Sequence, residues 1–314
     1  MPTAGQHNVD ASCIIVAICG SDTLARCIGR IRELRPPPRE ILVCAADAFE
    51  IPRDIEEAGD LKIVRVRDDS PVALAAAGLA AATGDVIMLT EDHCLPVSGW
   101  IRELSSALGD SPRIAAGGPI DPGKDGTSFD WAFFIVDFFR YVPPVTGGPA
   151  ESLSVCNVAY RRATLEEIRS EWSPGFHETR VHELLKARGQ LWMVPGATVT
   201  SLRRVGTKDG VRERFTFGWL FAAKRFRSGD STRRIAFAVG SLILPFVLFG
   251  RITRRCLAEP ALAKRLIMSS PYVMLLVLAW SLGELVGYIT GKAPSSSPAA
   301  KNRSGVSGSQ AVNA

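Results

Sequence analysis

One segment of the chain joins a short apolar run directly to acidic and basic side chains. The run Val86-Ile-Met-Leu is followed by Thr90-Glu91-Asp92-His93 and, three residues later, by Pro96. An uninterrupted apolar run is typical of a strand buried on both faces, and proline cannot continue the ladder of a central strand. Open α/β sheets bind ligands at the carboxyl ends of their strands. The segment therefore predicts an α/β sheet with a functional site after Thr90.

The three side chains after this strand are chemically suited to a divalent cation. Carboxylates and imidazole are ligands of Mg²⁺ and Mn²⁺, which proteins commonly use to bind phosphate groups. A three-residue pattern also arises by chance. From residue types alone, a metal site and a hydrated strand end therefore both remain open for Glu91, Asp92 and His93.

Strand and helix patterns alternate over the first two hundred residues. Strand patterns occur at 13–19, 40–44, 61–66, 86–90, 114–118, 155–160 and 191–194. Helical patterns occur at 24–34, 72–82, 100–108, 165–172 and 179–188. This alternation predicts a mostly parallel sheet with flanking helices.

The C-terminal third is apolar and follows a basic segment. Residues 203–234 contain ten Lys/Arg and three Asp/Glu, a surplus that suits an anionic membrane surface. No nucleic-acid-binding module accompanies it, so no nucleic acid partner is expected. The mean hydropathy of +0.12 also indicates that part of the chain is bound to lipid. Of the two apolar stretches, 235–250 is short for a membrane span and 269–290 is long enough.

The basic loop 251–268 constrains the membrane topology. Short loops rich in Lys/Arg usually stay on the cytoplasmic side, and Pro245 is expected to bend the first apolar stretch. We therefore predict that 235–250 is an in-plane or re-entrant segment, that 257–267 lies along the cytosolic surface, and that 269–290 is the only full span.

Cysteine usage and the polar N-terminus indicate the compartment. The seven cysteines form no CxxC pair, so they are interpreted as reduced thiols. Residues 1–12 contain no apolar signal region, which predicts a cytosolic first domain. The expected organisation is a disordered N-terminus 1–12, an α/β domain 13–202, a basic juxtamembrane segment 203–234, membrane-associated helices 235–291 and a disordered tail 292–314.

Four motifs resemble those of glycosyltransferase family 2, the inverting nucleotide-sugar transferases with the GT-A fold. The strands at 14–19 and 41–47 resemble the nucleotide-binding half, and Thr83 to Pro96 resembles the strand leading into the DxD motif. Asn157-Val-Ala-Tyr-Arg-Arg resembles the segment before the acceptor site. Phe176-His177-Glu178 resembles the Glu-Asp pair that contains the catalytic base. The apolar C-terminal segments resemble those of membrane-attached bacterial members.

The resemblance implies transfer of a sugar from a nucleotide-diphosphate sugar to a lipid-linked or glycan acceptor. It implies Mn²⁺ or Mg²⁺ as cofactor, and a catalytic domain on the cytoplasmic side of the cell inner membrane. Glu178 would be the catalytic base, and its place at a helix N-terminus is expected to favour its ionised form. The other implied roles are metal binding by Glu91, Asp92 and His93, nucleotide-sugar binding by Cys19, Ser21, Asp47 and Asp69, and acceptor binding by Asn157 and His177.

The motifs also depart from the family pattern. The DxD motif is Glu91-Asp-His93 here, and the Glu-Asp pair is His177-Glu178. Two alternatives therefore remain open: a degenerate, non-catalytic relative that acts as a membrane scaffold or partner subunit, and a nucleotidyltransferase. A nucleotidyltransferase would favour a glycine-rich phosphate loop with a lysine near the N-terminus, and Gly20-Ser-Asp22 contains no lysine.

Overall fold

The computed structural model describes residues 10–109, 112–123, 126–225 and 231–292. Its contacts divide the chain into two compact units. The α/β unit comprises Met1–Gly123 and Tyr141–Arg203, and the helical unit comprises Lys124–Arg140 and Arg204–Ala314. The expected continuous domain 13–202 therefore needs a correction, because the segment 124–140 inside it belongs to the helical unit.

Eleven strands occur among the described residues. They are β1 (Ala11–Ala17), β2 (Glu40–Ala46), β3 (Lys62–Val66), β4 (Val86–Glu91), β5 (Cys94–Pro96), β6 (Arg113–Gly117), β7 (Ile120–Asp121), β8 (Gly148–Pro149), β9 (Asn157–Arg161), β10 (Gln190–Met193) and β11 (Val199–Ser201). Because β1 begins at Ala11 and is buried throughout, the expected disordered N-terminus ends too late. Residues 1–9 and the tail 293–314 lie outside the described residues.

The strands form an eight-stranded sheet and a three-stranded sheet. The order in the large sheet is β3-β2-β1-β4-β9-β6-β10-β8, and in the small sheet β5-β11-β7. Strands β3, β2, β1 and β4 are parallel neighbours, whereas β9 runs antiparallel to both β4 and β6. The predicted α/β sheet with flanking helices is confirmed. The antiparallel β9 was not predicted, because an apolar pattern gives no strand direction.

Eleven helices accompany the sheets among the described residues. They are α1 (Ser21–Arg32), α2 (Arg53–Glu56), α3 (Pro71–Ala81), α4 (Trp100–Gly109), α5 (Ser128–Phe138), α6 (Arg162–Glu166), α7 (Arg169–Trp172), α8 (Glu178–Lys186), α9 (Thr207–Arg225), α10 (Ser231–Leu257) and α11 (Pro260–Thr290). Helix α3 shows how the local sequence sets a boundary: the Ser70 hydroxyl accepts a hydrogen bond from the N–H of Ala73, and Pro71 occupies the first turn.

Strand register brings three chain segments to one edge of the large sheet. Val16 of β1 pairs with Glu91 of β4, and Thr90 pairs with Asn157 of β9. The carboxyl ends of β1 and β4 therefore meet the amino end of β9. Residues 18–20, 91–93 and 155–157 consequently lie side by side.

In the helical unit, α9 packs closely along α11. A Cβ atom at Gly218 of α9 would meet the backbone of Trp280, and one at Gly283 of α11 would meet the backbone of Phe215. The basic segment 203–234 thus contains a packed helix. Helix α5 joins this group through Phe129, whose ring makes an edge contact with Tyr272 at 5.6 Å. This aromatic contact is the physical reason that α5 belongs with the C-terminal helices.

The glycine contacts between α9 and α11 make a testable prediction about stability. Gly283→Leu should destabilise the protein by about 1–3 kcal/mol or more, because its side chain would force the two helices apart. Thermal unfolding in detergent measures the effect. Gly250→Leu in α10 is the matched control, since no atom lies within 4 Å of its Cβ position. Equal melting temperatures for the two variants would contradict the close packing.

Two helices are long and apolar enough to cross a membrane, at Thr232–Leu257 and Leu262–Thr290. Residues 235–250 lie inside one continuous 27-residue helix, α10, so the expected short segment is wrong in its bounds. The expected surface segment 257–267 is also interrupted, since α10 ends at Leu257 and α11 begins at Pro260. Many large apolar side chains of α10 are exposed, namely Ile235, Phe237, Val239, Leu242, Ile243, Phe246 and Val247.

Candidate active site

Asp92 fixes the loop that follows β1. Its Oδ2 atom accepts hydrogen bonds from the backbone N–H groups of Ile18, Cys19 and Gly20 at 3.1, 2.8 and 3.2 Å. The side chain is fully buried, and its Oδ1 atom has no hydrogen-bond partner among the described residues. Asp92 therefore organises a loop with one oxygen and presents the other to the site.

The imidazole of His93 lies at the centre of the cluster. Its Nδ1 atom is 3.5 Å from Oε2 of Glu91 and 3.8 Å from Oδ1 of Asp92. The Sγ atom of Cys19 is also 3.5 Å from Nδ1. Burial acts against protonation, but Cys94, Cys19 and Asp92 outweigh it and raise the pKa of His93 well above its ordinary value. The cluster therefore favours a positive charge at this position, as a cation-binding site would.

Glu91 completes the acidic side of the cluster and lies near Arg203. Burial raises the pKa of Glu91, and the positive charges of His93 and Arg203 oppose part of that rise. The small sheet positions Arg203, because Ser201 pairs with Cys94 and the N–H of Leu202 donates to the carbonyl of His93 at 2.7 Å. From the sequence, Arg203 was assigned to the basic juxtamembrane segment and was not predicted as a site residue. The pairing of β5 with β11 is the signal that would have revealed it.

Glu178 is the first residue of α8, and its carboxylate faces the same region. Its Oε2 atom accepts a hydrogen bond from the N–H of Val155 at 3.1 Å. Burial raises the pKa of Glu178 to about 7; the Val155 hydrogen bond lowers it in part, and the charge of Glu91 raises it further. The helix N-terminus was expected to favour the ionised form of this carboxyl, but burial acts in the opposite direction and is the largest influence on its pKa. Val155 lies two residues before Asn157, which pairs with Thr90, so the hydrogen bond from Val155 places the carboxylate of Glu178 near the end of β4 and Glu91.

The four residues predicted to bind the nucleotide sugar lie near the carboxyl ends of β1, β2 and β3. Cys19 is exposed and adjoins His93. The hydroxyl of Ser21 donates to the carbonyl of Glu50 at 2.8 Å. Asp47 is exposed directly after β2, and Asp69 is half-buried just before α3. Because β1, β2 and β3 are parallel, all four residues lie along one edge of the sheet.

The two residues predicted to bind the acceptor have different environments. Asn157 is fully buried, and its Oδ1 accepts from the indole N–H of Trp100 at 2.7 Å. Its Nδ2 donates to the carbonyls of Pro119 and Ala197 at 2.9 and 2.7 Å. Both amide hydrogens are thus used within the protein, and we assign Asn157 to the scaffold of the site. His177 is exposed and immediately precedes Glu178.

The assignment of Asn157 to the scaffold is testable. Asn157→Ala would remove the partner of the Trp100 N–H and of the Ala197 carbonyl, and each such buried group costs about 1–3 kcal/mol. The Pro119 carbonyl would still accept a hydrogen bond from the N–H of Val199. We expect a lowered melting temperature and unchanged nucleotide affinity in the folded protein. The exposed His177→Ala variant should retain the melting temperature. An Asn157→Ala protein with normal stability and weakened acceptor binding would contradict this assignment.

Sequence analysis also missed a second set of groups around the imidazole. The side chains of Cys94 and Cys156 are buried, and their sulfur atoms and a ring nitrogen of His93 lie within 4.8 Å of one another. The pairing of β5 with β11 positions Cys94. The register of β4 with β9 positions Cys156, which immediately precedes β9. Neither contact follows from spacing along the chain.

Two solved structures show some similarity to this chain. "Mannosyltransferase PcManGT from Pyrobaculum calidifontis in complex with GDP-Man and Mn2+" is 15% identical, with a TM-score of 0.51 over 88% of this chain and 87% of that chain. "GalNAc-T7 with UDP, GalNAc and Mn2+" is 16% identical, with a TM-score of 0.48 over 71% of this chain and 53% of that chain. This chain thus spans about half the length of GalNAc-T7. At such identities the likeness concerns the fold alone.

Sequence comparison identifies the family. A comparison with curated protein sequences gives no match. The family model described as "Glycosyl transferase family 2" matches residues 12–169, which contain β1 to β9 and the Glu91-Asp92-His93 cluster. This match covers half of the chain and includes the segment whose motifs pointed to the same family. The chain belongs to glycosyl transferase family 2.

Proposed function

We propose that this glycosyltransferase moves a sugar, with inversion, from a nucleotide-diphosphate sugar to a hydroxyl group of a lipid-linked or other membrane-borne glycan acceptor. The observation that carries the proposal is the proximity of two unlike groups. A cluster suited to positive charge follows β4, and the carboxyl of Glu178, with a pKa of about 7, lies within electrostatic range of it. The first group suits a diphosphate and the second suits a hydroxyl that must lose a proton.

The donor half of the proposal concerns the leaving diphosphate, which gains negative charge as the anomeric bond breaks. Glu91, Asp92 and His93 would hold a divalent cation, and the unpartnered Oδ1 of Asp92 supports that assignment. When bound, such a cation supplies charge stabilisation to the diphosphate. Arg203 would add a second positive charge beside the cluster. The loops containing Ser21, Asp47 and Asp69 would contact the nucleotide and the sugar along the same edge of the sheet.

The acceptor half concerns proton transfer. A general base is most effective when its pKa lies near the working pH, and Glu178 meets this condition because burial raises its pKa to about 7. Glu178 would accept the proton of the acceptor hydroxyl as that hydroxyl attacks the anomeric carbon. Attack opposite to the departing diphosphate inverts the anomeric configuration. His177, exposed beside the base, would contact the acceptor.

A screen of nucleotide sugars by thermal shift tests the proposal and its alternatives. A ligand that binds only the folded protein raises its melting temperature. We expect one or more nucleotide-diphosphate sugars to do so in the presence of a divalent cation and to have little effect after chelation. A shift with nucleoside triphosphates alone would favour a nucleotidyltransferase, and no shift with any nucleotide would favour a scaffold protein.

The pKa of Glu178 gives a pH prediction with a defined sign. Since the base must be ionised, kcat/KM should rise as the pH increases through about 7 and then level off. The contribution of Glu178 to the free energy of unfolding changes with pH in the opposite direction to kcat/KM. The folded pKa lies above the value of 4.5 for an unperturbed glutamate, so stabilisation is present at low pH and is lost as the pH rises through about 7. A kcat/KM that falls with increasing pH in this range would contradict the role of Glu178.

We further propose that the helical unit attaches the enzyme to the cytoplasmic face of the inner membrane. Seven large apolar side chains of α10, from Ile235 to Val247, are exposed, and exposed apolar surface of this kind commonly marks a membrane or protein contact. The guanidinium of Arg265, near the start of α11, lies 4.4 Å from the ring centroid of Trp131 in α5. Helix α5 is an insertion between two segments of the α/β unit, and among the described residues before α10 no helix is long and apolar enough to cross a membrane. The α10–α11 connection should therefore lie on the cytoplasmic side.

Cysteine labelling in intact cells tests this topology. Ala258, exposed in the α10–α11 connection, is replaced by cysteine after Cys256→Ser removes the nearby thiol. We expect a membrane-impermeant reagent to label Ala258→Cys only after the cells are permeabilised. Labelling in intact cells would place the connection outside and overturn the proposed topology.

A further inference from the structure

Three acceptor atoms surround one nitrogen of His93. The Nδ1 atom lies 3.5 Å from Sγ of Cys19, 3.5 Å from Oε2 of Glu91 and 3.8 Å from Oδ1 of Asp92. A proton on Nδ1 can make one good hydrogen bond, which leaves the other two acceptors unsatisfied. The Oδ1 of Asp92, fully buried, indeed has no hydrogen-bond partner among the described residues. A metal ion in the place of that proton would interact with Nδ1, Cys19 Sγ and Asp92 Oδ1 together, since the ligand atoms of these three residues lie within 4.8 Å of one another.

We propose that Cys19 is a ligand of the catalytic cation and that the site selects a thiophilic ion of the Zn²⁺ type over Mg²⁺. The inference rests on the cation site proposed above and adds a fourth ligand to it. A tetrahedral ion with ligand bonds of about 2.0–2.3 Å separates its ligand atoms by roughly 3.3–3.8 Å. The three measured separations from Nδ1 fall in this range. The ligand atoms of Cys19, Asp92 and His93 lie within 4.8 Å of one another, so these three residues can reach a common ion without a change in the chain path.

The site is built by the same residues that would bind the ion. The Oδ2 atom of Asp92 accepts a hydrogen bond from the N–H of Cys19 itself at 2.8 Å, so one carboxylate positions the cysteine and offers its second oxygen to the metal. Cys19 is exposed, which gives an ion access from solvent. Glu91 is the last residue of β4, and His93 follows Asp92 directly in the chain. The four donors therefore belong to two adjacent segments fixed against each other.

The donor chemistry determines the selectivity. Mg²⁺ requires near-octahedral oxygen ligands and retains water. Thiolate and imidazole ligands favour Zn²⁺ and similar ions. A site that offers a sulfur and carboxylate oxygens at 3.5–3.8 Å from an imidazole nitrogen therefore disfavours Mg²⁺. The substitution of His93 for a carboxylate and the presence of Cys19 act in the same direction.

Cobalt spectroscopy tests the proposal directly, because Co²⁺ substitutes for Zn²⁺ and a thiolate–Co²⁺ bond produces a charge-transfer absorption. Co²⁺ is added to the metal-free full-length protein in detergent, and Zn²⁺ is then used to displace it. We expect the charge-transfer band in the parent protein and its loss in Cys19→Ser, with Zn²⁺ affinity lowered by more than about 100-fold, beyond the 10–100-fold typical of losing a supporting group. Cys44→Ala, which removes a buried thiol of β2, should retain the band.

Three results would overturn the assignment of Cys19. A band that survives Cys19→Ser and disappears in Cys94→Ser would place the ion at the buried Cys94–Cys156 pair. Binding of Mn²⁺ detected by electron paramagnetic resonance, without any cobalt charge-transfer band, would leave a cation site without a cysteine ligand. In that case the proposed function survives and the identity of the ion changes. Absence of binding by Co²⁺, Zn²⁺ and Mn²⁺ alike would refute the cation site of the proposed function itself.

Discussion

Glu178→Gln should reduce turnover by roughly 10²–10⁴-fold while leaving donor binding unchanged. Glutamine preserves the size of the side chain and can still accept the hydrogen bond from the N–H of Val155, but it cannot take a proton from the acceptor hydroxyl. The loss should appear in kcat and should remain at every pH. The measurement is initial-rate kinetics with a donor identified by the thermal-shift screen, together with calorimetry of donor binding.

Glu183→Gln is a suitable control for this variant. Glu183 lies on the same helix α8 and is exposed, so its neutralisation makes the same change in net charge at a distance from the reacting groups. We expect its turnover to match that of the parent. A Glu178→Gln enzyme with near-normal kcat would remove Glu178 from the role of base.

Glu91→Ala and His93→Ala should each abolish the metal-dependent part of nucleotide binding. Each variant removes one of the side chains that would hold the cation, and the diphosphate then loses its main source of charge stabilisation. The fold should persist, because both side chains lie at the end of a strand whose apolar residues are unchanged. Calorimetric titration of a nucleoside diphosphate, with and without divalent cation, measures the effect.

The matched control for these variants is Asp85→Ala. Asp85 is exposed at the opposite end of the same strand, immediately before β4. The Asp85→Ala variant therefore removes a carboxylate without altering the cluster. Its nucleotide binding should keep the full metal dependence. If Glu91→Ala or His93→Ala binds nucleotide as tightly as the parent and with the same metal dependence, the cation site lies elsewhere.

The sequence was sufficient to predict the part of the fold that local patterns encode. Uninterrupted apolar runs identified β1, β2 and β4, and the polar residues directly after β4 identified the cluster at Glu91 to His93. These features are visible because strand burial and strand ends leave a signal within a few residues. The direction of β9 could not be predicted, since an apolar pattern is the same for a parallel and an antiparallel strand.

The features that escaped prediction depend on pairing between distant segments. Arg203 reaches the site because β11 pairs with β5 across a hundred residues of sequence. Asn157 belongs to the scaffold because Trp100 and two carbonyls bind its amide. Helix α5 groups with the C-terminal helices through contacts such as that of Phe129 with Tyr272. None of these partners can be inferred from spacing along the chain.

The pKa of Glu178 also depends on tertiary structure. The position of Glu178 at a helix N-terminus predicted a local influence that favours the carboxylate. Burial acts in the opposite direction and raises its pKa to about 7. The larger effect is invisible in sequence because it depends on how much protein surrounds the carboxyl group. The resulting pKa nevertheless makes Glu178 better suited to act as a base near neutral pH.

The stereochemistry of the first product tests the central claim most directly. With water as the acceptor and enough enzyme to outpace mutarotation, hydrolysis of the donor releases a free sugar whose first-formed anomeric configuration is recorded by NMR. If Glu178 deprotonates the attacking hydroxyl in a single displacement, the first-formed sugar must have the configuration opposite to that of the donor. A first-formed sugar that retains the donor configuration would contradict the account, because it would require a mechanism in which Glu178 is not simply the base.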